Sequence, residues 1–299
     1  MLRIFDLHCD TAYRMYKNKC SFSSDTLALS YEKIKKYNGY TAVFAFWSDD
    51  EYGDDECFRI FIKSRDYFLK NMEDYPKATV RYAMAVEDAR LLSGSIDRLR
   101  VLYTSGVRIL TAVWRGCSCI GGAYDVSCGL TPFGKQVIRK CHETGIIPDV
   151  SHSSEKTFYD MVDISCAMKR PVIASHSNSY SVCAHPRNLY DSQFSIIKNL
   201  GGVVGISMAA EHIAEYREAK IYDVVRHIEH YMSLDGEDCI CLGCDYDGIA
   251  NAPIGLENAS KLSNLAEALA KMNYSEKLID KIFYTNAKSF FDKNINFNL

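Results

Sequence analysis

Eight short apolar runs, most of them β-branched-rich, recur along the chain, at 2–7, 40–47, 79–86, 107–113, 146–150, 172–174, 203–207 and 239–242. They are continuous rather than alternating, the pattern of strands covered on both faces of a parallel sheet. Between them lie segments whose apolar positions repeat with helical period. In "TPFGKQVIRKCHETG", Thr131 is placed to cap a helix, Pro132 to open it and Gly145 to end it. In "DSQFSIIKNLG", Asp191 reads as the cap and Gly201 lies past the end. Eight strand–helix units predict an α/β fold, a TIM-type (β/α)8 barrel, as one catalytic domain over 1–299. An open doubly wound sheet would normally announce itself by a glycine-rich turn after its first strand. Here that strand leads into "HCDTAYRMY", which has no glycine.

The ends of these strands carry the chemistry. His8 and Asp10 follow the first, Glu87 the third, His152 the fifth, His176 the sixth and Asp245 the eighth. In a barrel all six point into one cup, because the strand ends and following loops share its C-terminal face. A single histidine there is more often hydrogen-bonded locally than a ligand. Glu87 could equally cap a helix near Asp88, and Asp245 and Asp247 could be turn formers before Gly248. The joint placement argues otherwise, since carboxylates buried at a barrel mouth without counter-charge are costly. His8 and Asp10, two apart, can grip one divalent ion, and Glu87 can bridge to a second held by His152 and His176. Imidazole nitrogen and carboxylate oxygen suit Zn2+, and also Mn, Co or Fe. Asp245 stands where a proton acceptor for water would, which predicts a metal-dependent hydrolase. His142, on a helix, and His185, in a loop, receive no role.

Composition removes alternatives. Of the 299 residues 47% are apolar and 24% charged, with six prolines, so an ordered globular chain is expected. A net charge of −3 gives no footprint for nucleic acid or an anionic membrane. The run 2–7 carries Arg3 and Asp6 and ends in the metal motif, so it does not read as a signal peptide, and a cytoplasmic location is expected. The twelve cysteines are then read as reduced thiols, with Cys239 and Cys241 as core residues and Cys241–Cys244 not a redox pair.

The chain resembles the membrane (renal) dipeptidase family, within the amidohydrolase-like metal-dependent barrels. The similarity runs through "DLHCDT", "GLTPFGKQVIRKCHETGIIPDVSH", "PVIASHSNSYSVCAHPRN", "LGCDYDG" and "GLENASKL". It implies the same five metal ligands, His8, Asp10, Glu87, His152 and His176, with Asp245 handling the proton of the attacking water. It also implies that Arg187 and backbone near Gly248 hold the substrate, and that dipeptides are cleaved, with tolerance for a D-residue at the C-terminal position. Members are often dimers, so a homodimer is the expected assembly. One position departs. A family histidine that contacts the substrate aligns with Trp114 in "LTAVWRG", and the loop "RGCSCIGGAY" after it is rich in small residues. An indole N–H is a single neutral donor. The resemblance therefore leaves open a weakened dipeptidase, a metal-binding homologue without turnover, an enzyme for another small amide or lactone, or replacement of the lost donor by Arg115.

Overall fold

The computed structural model describes residues 2–215 and 218–295. Seven strands, β1 (Ile4–Cys9), β2 (Tyr40–Phe46), β3 (Val80–Glu87), β4 (Val107–Thr111), β5 (Ile147–Asp149), β6 (Val204–Ile206) and β7 (Ile240–Leu242), form one sheet ordered β5-β4-β3-β2-β1-β7-β6. Every pairing in it is parallel. The run 172–174 is not a regular strand. It contributes single parallel bridges instead, Ile173 to Asp149 on β5 and Ala174 to Val204 on β6. Those are the two edges of the sheet, and the Val150 and Gly205 amides each donate to this segment at 2.8 Å. The eighth stave is therefore short, but it closes the barrel.

Past Ala174 the regular pairing lapses, with one further bond from the Ser177 amide to the Gly205 carbonyl at 2.8 Å. A Cβ on Gly243 would lie 1.8 Å from the carbonyl oxygen of Ser175, so the wall opposite can hold only glycine there. Inside the barrel, Phe5, Leu7, Val43, Ala45, Ala83, Ala85, Ile109, Ile147, Ile173, Val203 and Cys241 form one apolar cluster. Phe290 and Phe291 of the helix Asn286–Asn294 plug its N-terminal end, with Phe291 4.7 Å from the Phe5 ring. A second, larger cluster lies between the strands and the surrounding helices.

The helix Pro132–Thr144 has the expected cap, with Thr131 accepting from the Gly134 amide at 2.9 Å and Gly145 left-handed at φ +87°. For the helix Asp191–Asn199 the cap is Tyr190 rather than Asp191. The Gln193 side chain accepts from the Tyr190 amide at 2.9 Å, leaving Asp191 in the first turn, where an acidic residue suits the helix dipole. Cys239, Cys241 and Cys244 are buried and unpaired, as core residues.

Gly243→Ala is expected to destabilise the fold by about 1–3 kcal/mol or more, because backbone rather than a flexible side chain must move. Thermal denaturation checks this, and an unchanged Tm would show that the wall yields freely.

Candidate active site

Strand alternation alone would turn His8 outward. Phe5 and Leu7 face the barrel interior, so an even-numbered residue should face the helices. The register of β1 on β2 shifts between Asp6 and Cys9, where three steps on one strand match two on the other. This bulge reverses the alternation: Cys9 packs in the outer cluster while His8 and Asp10 turn into the mouth. On β3 no such device is needed, since Glu87 follows Ala83 and Ala85 on the inward face. Helix capping at this point falls to Asp88, which accepts from the Arg90 amide, so Glu87 is free for the cup.

The structure brings the six strand-end residues together. One Glu87 oxygen, Oε1, lies 2.9 Å from His152 Nε2 and 3.6 Å from His176 Nε2. The other, Oε2, lies 3.5 Å from His8 Nε2, which is itself 3.5 Å from Asp10 Oδ2 and 3.9 Å from Asp245 Oδ1. Glu87 thus stands between two groups, His152 with His176 and His8 with Asp10 and Asp245; in each the donor atoms, with Glu87 counted in the first, lie within 4.8 Å of one another. Asp245 thus shares one group of donor atoms with His8 and Asp10. His152, Asp245 and Asp247 all hold left-handed backbone, at φ 66°, 62° and 70°, strain of the kind that gathers at functional sites. Asp247 points away from the cup and takes the Ala28 and Leu29 amides and the Thr11 hydroxyl.

Hydrogen bonds set the imidazoles' open nitrogens. His152 Nδ1 donates to the carbonyl of Trp114 at 3.0 Å. His176 Nδ1 donates to Ser175 Oγ at 2.7 Å, and that hydroxyl donates to Asp149 Oδ2 at 2.5 Å. Asp149 is further held by Thr111 and by the Ser151 and Ser175 amides. With both Nδ1 atoms protonated, the two Nε2 lone pairs face each other at 2.9 Å beside Glu87 Oε1. Three lone-pair atoms so close repel unless a proton or cation lies among them. His8 Nε2 and Asp10 Oδ1 are buried with no hydrogen-bond partner. The donor set and these orphaned atoms fit divalent metal.

The charge balance agrees. Burial, together with the Glu87 charge, pushes Asp10 up to about 6. Burial also pushes Asp245 well above the usual carboxylate range, with Asp10 and Glu87 adding to it. Burial acts to raise Glu87 too, but His8 and His152 outweigh it and hold the group below its ordinary value. Burial lowers His176 well below the usual imidazole range and His152 to about 4. Burial acts to lower His8 as well, but the Glu87 and Asp10 charges outweigh it and raise it well above the usual imidazole range. The carboxylates thus draw positive charge into the cup, the charge a divalent cation would supply.

The cup opens into a cavity of about 540 Å³, in the range of small-molecule sites. Arg187 is buried on its wall, with Nε unpartnered, Nη2 3.5 Å from the His176 carbonyl and the guanidinium over the Tyr124 ring. Gly248 presses against the carboxylates: a Cβ there would lie 2.1 Å from Asp10 and 2.7 Å from Asp245. Trp114 lines the cavity against Trp47, with ring centroids 4.9 Å apart, and Tyr13 meets Trp47 edge-on. Arg115 is largely exposed and turned toward Asp125. Sequence reasoning missed Asp149, Ser175, Tyr124, Trp47 and His212, the last a cavity residue beside His185. His185 also belongs nearby, accepting from the Arg187 amide, whereas His142 is buried against Ser165, in the packing between the helices Pro132–Thr144 and Glu155–Met168.

The model of the membrane dipeptidase family, peptidase family M19, matches residues 2–293. An uncharacterized protein from the pqqA 5′ region of Klebsiella pneumoniae is 32% identical over 213 residues, 67% of this chain and 77% of that protein. An uncharacterized dipeptidase of Schizosaccharomyces pombe is 31% identical over 218 residues, 69% of this chain but only 51% of the yeast protein. A Rhodobacter sphaeroides metallopeptidase, solved with a phosphinate mimic of the dipeptide L-Ala-D-Ala, superposes with TM-score 0.88 at 22% identity. That likeness covers 98% of this chain and 99% of the other.

Ser175→Ala removes the relay that orients His176 and is expected to weaken metal affinity about 10–100-fold. Competition against a chromogenic chelator measures it, and unchanged affinity would relieve Ser175 of that role.

Proposed function

The chain belongs to the membrane dipeptidase family, and from that membership we propose that it hydrolyses the peptide bond of dipeptides using two divalent ions, Zn2+ being the ion its donors suit best. The observation that carries the reading is one cavity holding both the imidazole–carboxylate cup and a buried arginine with an unpartnered Nε. A cation fixed so close to a hydrolytic centre selects substrates with a carboxylate a short way from the scissile bond, as in a dipeptide.

The protein residues divide the work. His8 and Asp10 would hold one ion, His152 and His176 the other, and Glu87 would join them. Bound there, such ions supply Lewis acidity that acidifies a water and polarises a carbonyl. Arg187 pairs bidentately with the substrate's terminal carboxylate, a geometry lysine does not reproduce. Asp245, on the substrate side of the cup, takes the proton of the attacking water and passes it to the leaving amine. Gly248 leaves room for both carboxylates and for substrate at the same wall. The phosphinate ligand of the Rhodobacter enzyme supports acceptance of a D-residue at the C-terminal position.

Trp114 favours a second reading, an enzyme for another small amide or a lactone, because an indole packed on Trp47 stands where the resemblance places an imidazole. Arg115 also lines this cavity, its Nε 3.7 Å from Asp125, and is the side chain that would stand in for the lost donor. A panel of L,L-, L,D- and N-acylated dipeptides and lactones separates the two readings. Cleavage of free dipeptides sustains the first, and turnover only of substrates without a free carboxylate overturns it.

Asp245→Asn is expected to lower kcat by about 10²–10⁴-fold with metal content unchanged. Wild-type turnover would remove it as the base, and loss of metal would make it a ligand. Arg187→Lys should raise KM for dipeptides, and an unchanged KM would move the carboxylate site elsewhere.

A further inference from the structure

The loop after Trp114 carries chemistry that the hydrolytic reaction does not use. Cys117 and Cys128 are both exposed, and their Sγ atoms lie 2.7 Å apart. Most of the other cysteines are buried in the core, and nearby Cys119 points away, with its sulfur toward the Arg90 carbonyl. The thiols are paired by fold rather than by sequence proximity. Cys117 forms an antiparallel bridge with Gly122, and the Cys128 carbonyl takes the Ser154 hydroxyl at 2.7 Å.

We propose that Cys117 and Cys128 form an oxidation site, closing to a disulfide that staples this loop across the active-site mouth. The oxidant is a small-molecule disulfide, RSSR. One thiolate attacks it, forming a mixed disulfide and releasing RS⁻. The second thiolate attacks the protein sulfur of that adduct, forming the Cys117–Cys128 bond and releasing a second RS⁻. The two protons from the cysteines pass to the released thiolates, so the protein loses two electrons and RSSR becomes two RSH.

The staple bears on the site through four contacts. Between the two cysteines the Tyr124 amide donates to the carbonyl of His152 at 2.8 Å, and Ala123 bridges Ser153. Just before them, Trp114 takes the Nδ1 proton of His152 at 3.0 Å. The Tyr124 ring lies under the Arg187 guanidinium. Closing the loop therefore pre-orders the strap that carries Tyr124 and abuts His152, which favours substrate binding more than the chemical step.

The test treats purified, metal-loaded protein with glutathione disulfide and reads the tryptic peptide spanning 116–135 by mass spectrometry. That peptide holds Cys117, Cys119 and Cys128. Loss of two hydrogens is expected in wild type and in Cys119→Ser, and not in Cys117→Ser or Cys128→Ser. Stable glutathione adducts on both cysteines, or a loss that requires Cys119, overturns the site. The kinetic half rests on the dipeptidase reading. Oxidised protein should show a KM several-fold lower with kcat unchanged, an effect absent in Cys117→Ser. Equal KM in both redox states overturns the effect on the mouth. A protein that forms the bond yet cleaves no dipeptide fails the functional reading alone, leaving the oxidation site standing.

Discussion

Three lone-pair atoms, Glu87 Oε1 and the Nε2 atoms of His152 and His176, meet at the mouth of a barrel with two further carboxylates close behind. Such a cluster is unstable by itself, because burial strips the water that would screen it and neighbouring carboxylates raise one another's pKa. Positive charge at the centre resolves the conflict. Much of the surrounding structure serves to keep the conflict in place. The bulge in β1 aims His8 and Asp10 inward, the Asp149–Ser175 relay holds the tautomer of His176, and the Trp114 carbonyl does the same for His152. Gly248 lets backbone close over the carboxylates.

Closure of the barrel is what makes these distant positions neighbours. The segment 172–174 joins β5 to β6 by only two bridges, yet it carries His176 to within 2.9 Å of His152, which follows β5. Glycine at 243 leaves room for the Ser175 carbonyl against the opposite wall. Fold and chemistry are thus settled by the same few residues.

Much of this was legible in the sequence, for a physical reason. Buried parallel strands write themselves as continuous apolar runs, and a barrel collects whatever follows them on one face, so His8, Asp10, Glu87, His152, His176 and Asp245 could be named together. The supporting residues were not legible. Asp149 and Ser175 look like any polar residue at a strand end, and their value appears only when the hydrogen bonds to His176 are seen. The cap at Tyr190 was misread as Asp191 because either neighbour satisfies the local pattern, and the Gln193 side chain decides between them. The Cys117–Cys128 contact depends on a loop fold that no periodicity encodes. Trp114 was visible as a departure, but its partner Trp47, which gives the cavity an aromatic wall, comes from a different strand end.

The central claim is that this cup exists to gather divalent cations. Equilibrium titration of metal-stripped protein with Zn2+, followed by elemental analysis of the dialysed product, tests it most directly. The account predicts two ions per chain in the intact protein and fewer when Glu87 is replaced by alanine. Protein that retains no stoichiometric metal, or whose metal content is indifferent to Glu87, would contradict it.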